Sequence, residues 1–303
     1  MRVSHEILVL DGGMSRELVA FGATLRQPEW SGLALIEQPE IVEKVHRVFI
    51  EAGADIVTTN SYALVPFHIG QERFDRDATM LADRAGRLAR AAADAFPERR
   101  VQVAGSLPPL FGSYEPENFD AALAPSYLGR LVPGLAPHVD LWLGETLSLI
   151  AEGQAVCDAV AASGKPVWIS FTLDEASAGH GTPKLRSGET VKAAAEWLAQ
   201  SPAVAMLFNC SQPEIMAEAV GVAAAVLGSA RPEVRIGVYA NAFEVKADDE
   251  VANETLTELR GDLEPRRYAG MAAEWVDKGA SIVGGCCGIG HEHIHCVREA
   301  FPG

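Results

Sequence analysis

Residues 280–294 read ASIVGGCCGIGHEHI. A short run of small and β-branched residues stops at Gly284-Gly285, and Cys286 and Cys287 follow at once. A brief apolar run closed by glycines reads as a buried strand leading into a tight turn. Glycine there lets the backbone turn sharply or approach a neighbour closely. Adjacent side chains of an extended chain point in opposite directions, so packing alone gives the two cysteines no common role.

Seven other runs resemble this one: EILVLDGG (6–13), ADIVTTNSY (54–62), VQVAGSL (101–107), VDLWLGET (139–146), PVWISFT (166–172), VAMLFNC (204–210) and RIGVYAN (235–241). Most successive starts lie about 30 to 45 residues apart, the length of a strand, a helix and two loops. Between them stand Ala-rich amphipathic segments such as TMLADRAGRLARAAADAF and TVKAAAEWLAQ. Strands buried on both faces and joined by helical crossovers form a parallel sheet. Eight such units predict a closed (β/α)8 TIM barrel, with an open doubly wound sheet as the alternative. No low-complexity linker or break in composition divides the chain, so residues 1–303 are expected to form one domain. FGATLRQPEWSG (21–32) and LPPLFGSYEPENFDAALAP (107–125) read as elaborated loops after strands 1 and 3.

The chain has 303 residues, 48% of them hydrophobic, which is enough for a large core. Its 25 basic and 41 acidic residues give a net charge of −16, which repels nucleic acid and anionic membranes. No nucleic-acid or membrane partner is expected, and no uninterrupted apolar stretch reads as long enough to span a bilayer. The N-terminal run carries no signal-peptide pattern. Five cysteines, an odd number in a long chain, suit a reducing compartment. A cytoplasmic protein is the expectation.

Most of the runs end in polar or reactive residues: Asp11, Thr58-Thr59-Asn60, Ser106, Glu145, Cys210, Asn241 and Cys286-Cys287. In a (β/α)8 barrel the C-terminal strand ends surround one mouth. Cys210 can therefore meet Cys286 and Cys287. Three thiolates suffice to hold a tetrahedral Zn2+ with one position open, and soft sulfur favours zinc over magnesium or calcium. Such a zinc activates water poorly but suits binding a thiol as fourth ligand. Gly12-Gly13 exposes backbone N–H groups that can hold a carboxylate, and Asp11 with Glu145 can share an ammonium. A ligand with thiol, ammonium and carboxylate is an amino-acid thiol. Blander readings remain open at this point. Cys210 and one of the pair can be small core residues, or Cys286 and Cys287 can form a vicinal disulfide. Cys157 and Cys296 read as packing residues, and His291 and His295 have the i, i+4 spacing of a metal pair. Asp11 can merely cap the next helix, and Glu145 can pair with a basic loop residue.

LDGGMSREL (10–18), GADIVTTNSY (53–62), FNCSQPE (208–214) and IVGGCCGIGHEHI (282–294) resemble, in this order, the homocysteine S-methyltransferase family. That family includes betaine- and S-methylmethionine-dependent enzymes and the homocysteine domain of cobalamin-dependent methionine synthase. The resemblance covers nearly the whole chain. It implies a zinc-dependent barrel that makes methionine, with Cys210, Cys286 and Cys287 as metal ligands. It also implies that Asp11, Gly12, Thr59 and Glu145 contact homocysteine, and neighbouring Gly13 and Asn60 join that set. PEWSG (28–32) resembles the family's Trp-Ser element and places Trp30 on the donor side. GSLPPLFGSYEPE (105–117) and YANAFE (239–244) depart from the family's usual donor-side elements.

The donor expected is a small onium compound, since one barrel filling the chain leaves no room for cobalamin domains. Trp30, Tyr62, Phe111 and Tyr114 supply aromatic faces, which attract such cations by about 0.5–2 kcal/mol each. S-methylmethionine is favoured, then S-adenosylmethionine, because no Gly-rich nucleotide-binding element appears. Betaine or a separate corrinoid protein is the alternative source of the methyl group. A zinc hydrolase would want His and carboxylate ligands instead, and a non-catalytic zinc or redox thiol protein is the remaining rival.

Overall fold

The computed structural model describes residues 6–179, 181–243 and 259–303. Eight strands fall on the eight runs: β1 (Leu8–Val9), β2 (Ile56–Thr58), β3 (Gln102–Leu107), β4 (Leu141–Leu147), β5 (Val167–Phe171), β6 (Ala205–Asn209), β7 (Arg235–Ala240) and β8 (Ile282–Gly285). All neighbours pair in parallel, in the order β1-β8-β7-β6-β5-β4-β3-β2. The ring closes between β1 and β2 through one bridge, Leu10 to Ile56. The Asp11 amide donates there to the Ile56 carbonyl at 3.0 Å, and the Asp55 amide to the Val9 carbonyl at 2.7 Å. The architecture is the expected (β/α)8 barrel.

Strand alternation sorts the core into two layers. Leu10, Ile56, Ala104, Leu141, Leu143, Trp168, Ala205, Leu207, Tyr239 and Ile282 pack together inside the barrel. Their neighbours along the strands, such as Val9, Val57, Val103, Ile169 and Phe208, meet the helices outside. Full burial of each such side chain contributes roughly 1.5–3 kcal/mol. Helix Gln71–Asp94 presents Phe74, Ala78, Leu81, Ala82, Ala85, Leu88 and Ala92 inward, at the spacing of one helical face. Small residues along that stripe let the helix lie close to its neighbours.

The expected loop elaborations are present. After β1 the chain makes helices Met14–Ala20 and Ser31–Glu37 before the barrel helix Pro39–Glu51. After β3, residues 108–123 include only one short 3-10 turn, Pro116–Asn118. One expectation needs correcting: helix Pro213–Ala230 does reach the length and apolar composition of a membrane span. It is a helix of the barrel wall, packed against β6 and β7 with Ile215, Met216, Ala219, Val220 and Ala223 buried. Glu244, the last residue of YANAFE, lies outside the described residues.

Candidate functional site

Close backbone approach at the barrel mouth explains both glycine pairs. A Cβ on Gly12 would meet the Phe49 ring at 2.7 Å, and one on Gly13 would meet the Cys286 carbonyl oxygen at 2.5 Å. A Cβ on Gly284 would strike Leu10, and one on Gly285 the Ile289 side chain. The loops after β1 and β8 therefore lock together, and the Gly13 amide donates to the Ile289 carbonyl at 2.8 Å. That donor, expected to face a ligand carboxylate, is occupied.

The lock brings Cys286 and Cys287 to the end of β6. Cys210, with φ 49°, turns its sulfur toward them, and all three sulfurs lie within 4.8 Å of one another. Cys210 and Cys286 are joined as a disulfide, while Cys287 is a free thiol with its sulfur 3.9 Å from that of Cys286. This pairing corrects the vicinal-disulfide reading: the bond runs between strand ends, not between sequence neighbours. Reduced, the three sulfurs suit zinc. A tetrahedral ion with Zn–S of about 2.3 Å needs sulfurs about 3.8 Å apart. Among the described residues no other group of three or more His, Cys, Asp or Glu side chains converges this way.

The other cysteines and histidines have other surroundings. Cys157 is buried and Cys296 packs at the edge of the core. His291 Nδ1 meets Glu17 Oε2 at 3.0 Å, and His295 Nε2 lies 3.6 Å from Glu299 Oε1. Each thus has its own carboxylate partner, and the two form no metal pair.

Two carboxyls stand in the same cavity. Asp11 is buried and accepts from the Thr58 amide at 2.7 Å and the Thr58 hydroxyl at 3.0 Å. It does not cap the following helix Met14–Ala20, whose cap position is Gly13 and which has no side-chain cap. Glu145 accepts from the Ser106 hydroxyl and, at 3.4 Å, from the Tyr239 hydroxyl. Burial pushes Asp11 up to about 8, with a smaller contribution from Glu145, and pushes Glu145 up to about 7. Burial likewise raises the Cys287 thiol to about 11. In a site removed from water, burial holds these three acids toward their neutral forms.

Thr59 and Asn60 also line the cavity, and both hydrogen-bond to neighbouring protein groups. The Thr59 hydroxyl accepts from the Ser106 amide at 3.0 Å and pairs with Ser61 at 2.9 Å. Asn60 Nδ2 donates to the Ser31 carbonyl at 3.1 Å, holding the Trp30 loop. His68, which sequence reasoning missed, holds the same loop through the Pro28 carbonyl at 2.8 Å. Thr58 was passed over in favour of Thr59, although alternation from Ile56 places it on the inward face. Arg16 and Phe243 are further lining residues without a sequence signal.

Of the aromatic residues expected to face a donor, Trp30, Tyr62 and Tyr114 line the cavity. The Tyr62 hydroxyl lies 2.6 Å from that of Ser113, and the Arg186 guanidinium sits 4.6 Å from the centre of the Tyr114 ring. Phe111 does not reach the cavity: it packs against Phe119 and Tyr127 in the outer layer. Among the described residues four non-glycine residues have positive φ, Trp30, Tyr114, Thr146 and Cys210, and all four line this cavity. Each conformation costs of order 1–3 kcal/mol, and such strain concentrates at functional sites.

Residues 8–301 match the homocysteine S-methyltransferase family. Homocysteine S-methyltransferase 1 of Arabidopsis thaliana is 29% identical, over 96% of this chain and 92% of its own. Selenocysteine methyltransferase of Astragalus bisulcatus is 26% identical, over 92% of this chain and 88% of its own. The metallated form of the homocysteine methyltransferase MmuM from Escherichia coli superimposes with a TM-score of 0.78 at 25% identity, covering 98% of this chain and 96% of that one.

Proposed function

The chain belongs to the homocysteine S-methyltransferase family and is a methyltransferase, and from that premise we propose that it methylates homocysteine from a small sulfonium donor, with zinc held by Cys210, Cys286 and Cys287. One observation carries this reading: two buried carboxyls and three clustered sulfurs open into a single cavity. An amino-acid thiol answers both halves, with an ammonium for the acids and a sulfur for the metal.

Asp11 and Glu145 receive the substrate ammonium. Their burial makes the pairing stronger than it would be in water, and the ammonium in turn draws both carboxyls back toward their ionised forms. Thr58, Ser106 and Tyr239 hold the two carboxyls in place through the contacts above. The Gly12 stretch supplies backbone near the substrate carboxylate. Zinc held by three thiolates lowers the pKa of a substrate thiol while leaving its sulfur nucleophilic. With homocysteine fixed at three points, its sulfur faces the wall carrying Trp30, Tyr62 and Tyr114. There the methyl carbon of the donor is attacked in line: a new S–CH3 bond forms, the donor's S–CH3 bond breaks, and its sulfur leaves as a neutral thioether. Holding the partners in line supplies an effective concentration potentially worth about 7–11 kcal/mol.

The donor is favoured as S-methylmethionine, then S-adenosylmethionine. The test is methionine formation by reduced, zinc-loaded protein with excess homocysteine and equal concentrations of S-methylmethionine, S-adenosylmethionine and betaine. Fastest turnover with S-methylmethionine is expected. Betaine turnover far above both sulfoniums would overturn the donor, and activity only with a methylated corrinoid protein would replace it.

A further inference from the structure

Strand β4 carries one residue too many. Gly144 pairs with Ile169 and Leu147 with Phe171, so three steps on β4 match two on β5. An extra residue of this kind bends a strand and re-aims its side chains. The residues inside the irregularity are Glu145 and Thr146. Thr146 sits at φ 61°, an outlying conformation for a β-branched residue, which persists only when its surroundings enforce it.

Asn209 is the enforcing neighbour. It ends β6, two strands away from β4, and is fully buried. Its Oδ1 accepts from the Thr146 amide at 3.0 Å and from the Ser170 hydroxyl at 2.7 Å. Its Nδ2 donates to the Thr146 hydroxyl at 2.9 Å. Both ends of one amide are thus matched to the backbone and side chain of a single strained residue. Filling the barrel would need only an apolar side chain, so this match calls for another account. Asn209 also directly precedes Cys210, the sulfur-bearing residue with φ 49°.

We infer that Asn209 is a positioning residue: it reaches from the cysteine-bearing strand across the barrel interior, holds Thr146 in its left-handed conformation, and so sets where the Glu145 carboxyl stands. The inference deepens the proposed function and rests on it, since it takes Glu145 to meet the homocysteine ammonium. Loosening Asn209 should therefore weaken homocysteine binding more than donor binding, which Thr146 reaches only through the Tyr62 hydroxyl.

The experiment compares the parent chain, Asn209→Ala and the double variant Asn209→Ala/Thr146→Gly, all reduced and zinc-loaded. It follows KM for homocysteine, KM for the donor, kcat, zinc content and melting temperature. Losing hydrogen bonds that hold a charged group in place corresponds to about a tenfold rise in homocysteine KM for Asn209→Ala. Zinc content should stay within about twofold of the parent, and donor KM should rise several-fold less than homocysteine KM. Glycine adopts the left-handed conformation without help, so the double variant should recover part of the homocysteine KM. A purely structural role would lower the active fraction and the melting temperature while moving neither KM. Unchanged homocysteine KM in Asn209→Ala, or a double variant no better than the single, overturns the inference. If Asn209→Ala does not fold, Asn209→Leu keeps roughly the volume and removes both hydrogen-bonding ends without bringing a charge into the buried site. A comparable rise in homocysteine KM is then expected, and none would overturn the inference. A parent chain inactive on homocysteine with every donor would remove the proposed function itself, and this inference with it.

Discussion

Glu145→Gln should weaken homocysteine binding and at the same time stabilise the empty protein. The substitution keeps the shape of the side chain and an oxygen for the Ser106 or Tyr239 hydroxyl, but it removes the charge. Loss of a charged hydrogen bond costs about 1.5–3 kcal/mol, which corresponds to roughly a 10- to 150-fold rise in homocysteine KM. The stabilisation follows from burial. Burial raises Glu145 from its ordinary value of 4.5 to about 7 in the fold, a gap worth about 3 kcal/mol. Because the folded value is raised, the protonated carboxyl's contribution is complete below about 4.5 and is lost as pH rises through about 7. Glutamine has no such loss. In metal-free, ligand-free protein the variant should match the parent near pH 4 and melt about 5 °C higher at pH 8, at roughly 2 °C per kcal/mol for a chain of this size. Melting curves at both pH values and a homocysteine saturation series check the two halves. A melting difference independent of pH would refute the burial argument, and unchanged homocysteine KM would refute the contact.

Other perturbations probe the remaining parts of the site. Cys210→Ser, Cys286→Ser or Cys287→Ser should each abolish tight zinc retention and turnover while leaving the barrel folded, because two thiolates and a hydroxyl hold zinc poorly against a chelator; metal analysis and circular dichroism read this out. Protein in which Cys210 and Cys286 are joined should take up little zinc until treated with a reductant, and should bind about one equivalent afterwards, as followed by zinc titration. Gly13→Ala would drive a methyl group into the Cys286 carbonyl and should cost about 1–3 kcal/mol, seen as a lower denaturant midpoint together with weaker zinc retention.

The sequence made the barrel legible because each strand is buried on both faces and so appears as an unbroken apolar run. The reactive residues were legible for a related reason: each ends such a run, where topology alone carries it to the mouth. What stayed hidden depends on partners chosen only in three dimensions. Nothing local tells that β4 holds an extra residue, so neither Thr146 nor the Asn209 amide that supports it carried a visible role. Gly12-Gly13 signalled close approach correctly, but whether a ligand or the Ile289 loop was approaching needed the fold. Phe111 and Tyr114 stand in one loop, and only packing sends the first to the outer layer and the second to the cavity. The disulfide partner of Cys286 was settled at the mouth, where the ends of β6 and β8 meet across β7, against the pull of its sequence neighbour.

The closure between β1 and β2 is the thinnest joint in the cylinder, a single bridge. Two aspartates stitch it where strand pairing gives out. Asp55 accepts the Val9 amide at 2.8 Å at one end, and Asp11 accepts the Thr58 amide at 2.7 Å at the other. The lower stitch is backed by the Arg298 guanidinium. The upper stitch is the same carboxyl assigned to the substrate ammonium. Whatever shares or protonates Asp11 therefore also loads the last hydrogen bond of the seam, so occupancy of the mouth and tightness of the ring are two readings of one side chain.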